Sequence, residues 1–211
     1  NYTKSPSGLI EVAILDANGR QVAVHKQSLT FSRKRRTREY VLDSISLSNP
    51  QLWSCDHPYL YTAVVSLYRN DGTLADRVSE QFGVRTFEFS PQFGLKLNGE
   101  KVILKGIANH HTLGSLGAAA YPKAIEKRIK LLKSFGFNHI RCSHNPYSED
   151  LYRLCDKYGI IVIDELYDKW LDQYTGGRRP WMEQWPYELP EFIKRDRNHP
   201  CVIAWSLGNE L

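Results

Sequence analysis

The last eleven residues, Cys201-Val-Ile-Ala-Trp-Ser-Leu-Gly-Asn-Glu-Leu211, have residue types and spacing that suggest chemistry. The apolar run Val202 to Trp205 reads as a buried strand, with Gly208, Asn209 and Glu210 directly behind it. A carboxylic acid at the C-terminal mouth of a parallel strand, with a carboxamide beside it, sits where α/β enzymes place catalytic groups. Similar polar clusters close earlier apolar runs: Asn109-His110-His111, Arg141 with His144-Asn145, and Asp164-Glu165. Four successive strand ends bearing His, Arg, Asn and acids point to a site rather than to four unrelated loops.

Two chemistries compete for this cluster. His110, His144, Asp164 and Glu165 are all potential metal ligands. Adjacent strand residues point to opposite faces, however, so His110-His111 is not a His-x-His pair with two ligands on one face. Carboxylate chemistry on a glycosidic bond fits better, with Glu210 as general acid and the His and Arg side chains orienting hydroxyls and a partner acid.

The elements that must position these residues fall into two kinds. From Leu9 to about Phe89 the pattern is β: strands are expected at Leu9 to Leu15, Val22 to His25, Glu39 to Leu42, Leu60 to Tyr68 and Gln81 to Phe87, with Asn18-Gly19 and Asn70-Asp71-Gly72 as hairpin turns. Short strands at this spacing predict a small β-sandwich. Pro50-Gln-Leu-Trp53 and Pro58-Tyr59-Leu60-Tyr61 offer aromatic faces on which a sugar could stack, but read better as packed core edge.

After a linker near residues 86 to 100 the period changes. Leu97-Asn98-Gly99-Glu100 is a turn and Val102 to Ile107 a strand. A helix then runs from Pro122 to Gly136, with Ile125, Ile129, Leu132 and Phe135 on one face and lysines including Lys133 over the rest. Phe137 to Cys142 is the next strand, followed by a helix capped by Ser148 and closed by Gly159; Ile160 to Ile163 is the third. A helix from about Leu189 to Asn198 leads into the last strand. Alternation of this kind means a parallel sheet, doubly wound or a (β/α)8 barrel. A barrel takes about 250 residues, so four strands would be half of one. The expected division is residues 1–88 and 89–211.

Composition narrows the class. A hydrophobic fraction of 42%, rich in aromatics, excludes a disordered chain. Much of the net charge of +5 sits in Arg33-Lys34-Arg35-Arg36 and Arg38, a run with no nucleic-acid motif or aromatic platform; it reads as a solvated edge, and no nucleic-acid partner is expected. The four cysteines share no metal spacing and read as buried free thiols. No stretch approaches the ~20 apolar residues of a membrane span, so no membrane partner is expected. The start, Asn1-Tyr-Thr-Lys, reads as cut rather than as a signal peptide, which leaves the compartment open between bacterial cytoplasm and periplasm.

Several stretches resemble the β-galactosidases of glycoside hydrolase family two. They are Phe82-Gly-Val-Arg85-Thr, Leu97-Asn-Gly, Leu104-Lys-Gly106, Asn138-His-Ile-Arg141-Cys-Ser-His144-Asn-Pro146, Leu154-Cys-Asp156-Lys-Tyr-Gly159, Asp164-Glu165, Arg195-Asp-Arg-Asn-His-Pro200 and Trp205-Ser-Leu-Gly-Asn-Glu210. The resemblance implies an immunoglobulin-like β-sandwich leading into a truncated TIM barrel that cleaves terminal β-galactosides with retention. It puts Glu210 at the acid/base position and Asn209 at the carboxamide that meets the sugar 2-hydroxyl. His110 and His144 fall on substrate-pocket histidines, Arg141 on the arginine that supports the nucleophile, and Trp170 on a pocket aromatic of one subgroup; Glu165 is expected as a pocket or structural acid.

The best-known members carry a Glu and a His as magnesium ligands where this sequence has Lys169 and Leu171, so neither metal nor cofactor is expected. Gly208 before Asn209 follows the galactosidases rather than the glucuronidases, which commonly have Ala. The family nucleophile is expected beyond Leu211, and with it an inactive fragment whose exposed sheet edges self-associate. β-Glucuronidase, β-mannosidase and a non-catalytic carbohydrate-binding module remain alternatives.

Overall fold

The computed structural model describes residues 7–31, 39–169 and 180–210. The basic run and Trp170 lie outside them. The chain divides into two compact units, residues 1–51 with 60–82, and residues 52–59 with 83–211.

The first unit is a four-stranded antiparallel sheet of order β2-β1-β3-β4, with β1 Ser7–Leu15, β2 Gln21–Thr30, β3 Tyr61–Arg69 and β4 Leu74–Phe82. Both expected hairpin turns form. Asp16 Oδ1 accepts the amides of Asn18 and Arg20 at 2.9 and 2.8 Å, and Asp71 Oδ1 accepts the Thr73 amide at 2.9 Å, so each aspartate folds the chain back on itself. Val12, Ile14, Leu29 and Tyr61 are buried, while β4, carrying Asp76, Arg77 and Glu80, is exposed along most of its length. This is one sheet; among the described residues no second sheet belongs to this unit. Glu39 to Leu42 does not pair as a strand. The expected strand Gln81 to Phe87 is broken after Phe82 and resumes as β5 Phe87–Ser90.

The second unit opens with a three-stranded antiparallel sheet, β5, β6 Gly94–Leu97 and β7 Glu100–Val102. Asn98 and Gly99 turn the β6–β7 hairpin with φ of 55° and 84°, the positive values a two-residue turn requires. Four parallel strands follow, β8 Gly106–Asn109, β9 His139–Cys142, β10 Ile161–Glu165 and β11 Val202–Ser206, in the order β11-β10-β9-β8. Chain order and spatial order coincide. A doubly wound sheet reverses at a switch point, so this sheet winds in one direction as a barrel does. The expected strand from Val102 to Ile107 is therefore two strands, one in each sheet.

Helices α1 Pro122–Ser134, α2 Glu149–Tyr158 and α3 Trp181–Asp196 connect the strands. Pro122 occupies the first turn of α1, where its missing N–H costs nothing. Ile125 and Ile129 face inward as expected, but Phe135 caps the helix and is 74% exposed. Lys133, expected in solvent, donates from Nζ to the Cys55 carbonyl at 2.8 Å. Gly159 ends α2 at φ 69°, and a Cβ there would lie 2.2 Å from the same carbonyl oxygen. Helix α3 starts eight residues before the expected Leu189, running through Pro186 and Pro190; each proline forfeits a single backbone bond, and the helix tolerates both.

Behind the parallel sheet lies a buried polar latch. Trp53, wholly buried, donates its indole N–H to the Asp156 carbonyl at 2.8 Å, so it is core rather than an exposed sugar platform. The Asp156 carboxylate accepts the Cys201 amide at 3.0 Å and lies 2.5 Å from His199 Nδ1. Arg85 donates to the carbonyls of Pro200 and Val202, each at 3.0 Å. Cys142, Cys155 and Cys201 are buried free thiols and Cys55 is half-buried. Among the described residues no helix is long and apolar enough to cross a membrane.

Candidate active site

The C-terminal ends of β9 to β11 bring Arg141, His144, Glu165 and Asn209 into one hydrogen-bonded cluster. Glu165 is the hub, its side chain fully buried at the end of β10. Arg141, on the adjacent strand β9, donates Nε and Nη2 to Glu165 Oε2 at 3.0 and 2.6 Å. The Ser206 hydroxyl donates to the same oxygen at 2.6 Å, and His144 Nδ1 lies 2.6 Å from Oε1. Arg141 Nη2 also reaches Asn209 Oδ1 at 3.0 Å, and Asn209 Nδ2 donates to Asp168 Oδ1 at 3.1 Å, which fixes the carboxamide orientation.

Burial works to raise the Glu165 carboxyl, but hydrogen bonds from Ser206, Arg141 and His144 outweigh it and leave the group below the usual carboxylate value. A carboxylate with both oxygens so engaged holds its neighbours in place and is poorly disposed to attack a substrate. Asp164, one residue earlier, points to the opposite side of the sheet, as strand alternation requires. It accepts the Tyr152 hydroxyl at 2.7 Å beside the Arg195–Asp196 pair, and burial pushes its carboxyl up to about 8.

Glu210 stands outside the cluster, its side chain 71% exposed and its carboxylate paired with Lys169 Nζ. Its amide donates to the Asp168 carbonyl at 3.1 Å, and Lys169 and Glu210 form a single parallel bridge that ties the segment after β10 to that after β11. His110 is exposed, with its ring edge-on to His144 at 5.1 Å. Sequence reading missed Ser206, whose hydroxyl has no chemical signature of its own; its register opposite Glu165 is the signal that would have found it.

The family-implied magnesium site does not fit these residues. Lys169 puts an ammonium where a ligand would have to stand, and ammonium nitrogen has no lone pair to offer a cation. Leu171 lies outside the described residues.

A singly wound parallel sheet with acids, a guanidinium and a carboxamide gathered at its C-terminal ends defines a barrel-type α/β domain with a carboxylate-centred site. Residues 92–211 match the model of the glycosyl hydrolases family 2 TIM barrel domain, and residues 3–85 match a further model of glycosyl hydrolases family 2. The chain belongs to glycosyl hydrolase family 2.

Among its relatives is the β-galactosidase BoGH2A of Bacteroides ovatus, 42% identical over 202 residues that cover 94% of this chain and 23% of that protein. A β-galactosidase of Vibrio cholerae is 34% identical over 209 residues, 95% of this chain and 20% of that protein. The chain thus spans about a quarter or less of the length of these relatives. The crystal structure of a family 2 member from Bacteroides cellulosilyticus superposes with a TM-score of 0.88 at 41% identity, covering 98% of this chain and 27% of that one. A Parabacteroides merdae β-glucuronidase superposes at 0.75 and 26% identity, over 96% of this chain and 24% of that one.

Proposed function

We propose that the whole protein is a retaining exo-β-glycosidase that removes terminal β-galactosyl residues. The observation that carries this reading is the pairing of an exposed Glu210 with the fixed carboxamide of Asn209 at the end of β11, beside the Arg141–His144–Glu165 cluster. Glu210 protonates the leaving glycosidic oxygen and then, as carboxylate, takes a proton from the water that releases the sugar. Asn209, His110 and His144 bind sugar hydroxyls. Arg141 supports the nucleophile, Glu165 holds Arg141 and His144 in place, and Trp170 lines the pocket.

Retention requires two carboxyls about 5.5 Å apart. With Glu165 committed to its donors, the nucleophile comes from sequence other than these 211 residues, and this chain alone does not turn over glycosides. We assign residues 1–88 to an immunoglobulin-like domain, of which β1 to β4 form one sheet, and residues 89–211 to the first half of the barrel. In the isolated chain, β8 and β11 are outer strands of their sheet and are expected to drive self-association. A single monomeric species across a wide concentration range in ultracentrifugation would count against that.

A β-glucuronidase is the second reading, supported by the likeness to the P. merdae enzyme; Gly208 favours galactosides. The test is hydrolysis of nitrophenyl β-galactoside, β-glucuronide and β-mannoside by the full-length protein, wild type against Glu210→Gln. Turnover of the galactoside that falls by roughly 10²- to 10⁴-fold in the variant is expected. Undiminished turnover moves the acid elsewhere, and sugar binding without turnover favours a binding module.

A further inference from the structure

Between the segment after β8, the inner face of α1 and the start of α2 lies a cavity of about 20 Å³, walled on its apolar side by Ile125 and Leu151. Asn109, His111 and Ser148 line it as well, and each has a buried polar atom without a protein partner: Asn109 Nδ2, His111 Nε2 and Ser148 Oγ. Asn109 is only 3% exposed. Its other amide atom, Oδ1, accepts Arg128 Nη1 at 2.9 Å, which leaves Nδ2 as the group in need of an acceptor. Ser148 stands at the N-cap of α2 but makes no capping bond with its hydroxyl, so the capping role its position predicts is not the one it performs. Orphaned buried polar atoms on three residues that line one small cavity demand a common explanation.

We propose that this cavity is a binding site for a single structural water molecule. Its volume exceeds the roughly 10–15 Å³ that one water needs, and three polar partners is the usual number for a buried water. Water matches the donor pattern: its oxygen accepts Asn109 Nδ2–H, and its two hydrogens go to Ser148 Oγ and to His111 Nε2, whose ring then carries its proton on Nδ1. An inorganic cation finds no carboxylate in the lining, and larger solutes do not fit.

The water joins Ser148 on α2 to the segment Asn109–His111. Arg128 grips the same segment from α1, donating to Asn109 Oδ1, to the His110 carbonyl at 3.1 Å and to the Thr112 carbonyl. His111, stacked on Tyr147 at 3.8 Å, completes the support. The backbone of His110 is thereby held from both sides while its imidazole stays exposed, so water and Arg128 together position a residue of the candidate site.

A crystal structure at a resolution that shows ordered water is the direct test. One well-ordered water within about 2.6–3.2 Å of all three atoms is expected; a dry cavity, or Ser148 and His111 turned to protein partners, overturns the proposal. Amide hydrogen exchange on the same chain tests its consequence in solution. Ser148→Ala removes one of the water's acceptors and is expected to speed exchange of the Leu113 and Ser143 amides, which donate to the Gly117 and Asn109 carbonyls, by tenfold or more, with β9 and β10 amides unchanged. Equal protection of Leu113 and Ser143 in variant and wild type overturns the link to the loop. Neither readout depends on glycosidase activity.

Discussion

Replacing Arg141 by Met should expose how much of the second unit's stability rests on satisfying one buried carboxylate. Glu165 is wholly buried and takes two of its four donated contacts from Arg141, at 3.0 and 2.6 Å. Removing one member of a buried ion pair costs about 3–5 kcal/mol, because the other charge is left uncompensated. The Arg141 side chain is 35% exposed, so water replaces part of what the guanidinium supplied, and the expected loss is about 2–3 kcal/mol. The double variant with Glu165→Gln leaves no buried charge and should recover much of this, giving a coupling on the order of 2 kcal/mol in a double-mutant cycle.

The pH dependence has a definite sign. Because the folded Glu165 carboxyl lies below its unfolded value, its contribution is fully present above about pH 4.5 and is lost as pH falls through the folded value. In Arg141→Met the folded value rises, so the acid limb begins at higher pH. Urea denaturation followed by tryptophan fluorescence at a series of pH values measures both effects. A loss below about 0.5 kcal/mol, or a cycle in which the two substitutions simply add, would refute the picture of Glu165 as a charge held by its donors.

Asp164 predicts the opposite slope: its carboxyl is raised to about 8 by burial, so the folded state holds a proton the unfolded state has lost, and stability should fall as pH rises from about 4 to 8. Asp164→Asn keeps an acceptor for Tyr152 and should flatten that slope, with a higher thermal midpoint than wild type at pH 8; a wild type that gains stability over this range would contradict it. Gly159→Ala forces a Cβ to within 2.2 Å of the Cys55 carbonyl oxygen at φ 69° and should cost about 2 kcal/mol or more in denaturant titration. An unchanged midpoint would mean that the loop around Cys55 yields freely.

Strands and helices were legible wherever hydrophobic period and punctuation agreed. Pro122 opens α1, Gly159 closes α2, and the apolar runs at Ile140, Ile161 and Val202 all lie in the parallel sheet. The failures have physical causes. Glu39 to Leu42 has the residue types of a strand but is not one among the described residues, since strand pairing is a through-space property that a sequence does not carry. The expected helix begins only at about Leu189, yet α3 starts at Trp181 and runs through Pro186 and Pro190, its inward residues, Phe192 among them, held by packing, here edge-on against Trp205 at 5.1 Å. Of the candidate site, the strand-end residues Arg141, His144, Glu165 and Asn209 come together, Glu210 pairs with Lys169 outside that cluster, and Trp170 is outside the described residues.

The family-like motifs also separate by what they touch, which the sequence could not reveal. Arg85, Asp156, Arg195 and His199 all lie in stretches that resemble family two, yet each spends its polar groups behind the sheet, on the carbonyls of Pro200 and Val202, the Cys201 amide, Asp196 and Tyr152. They fix β11 against α2 and α3, and so fix where Asn209 and Glu210 emerge. In the proposed reaction the two glutamates at the front divide the remaining work. A general acid that must later serve as a base has to lose and regain its proton within one cycle, which requires a carboxyl that solvent and substrate can reach. Glu165, buried with both oxygens occupied, cannot exchange a proton without breaking the cluster that orients Arg141 and His144. Glu210, exposed and tied by a single lysine, can. That asymmetry is the physical reason for placing the proton transfer on Glu210, and it would be reversed only if Glu165→Gln abolished turnover while Glu210→Gln preserved it.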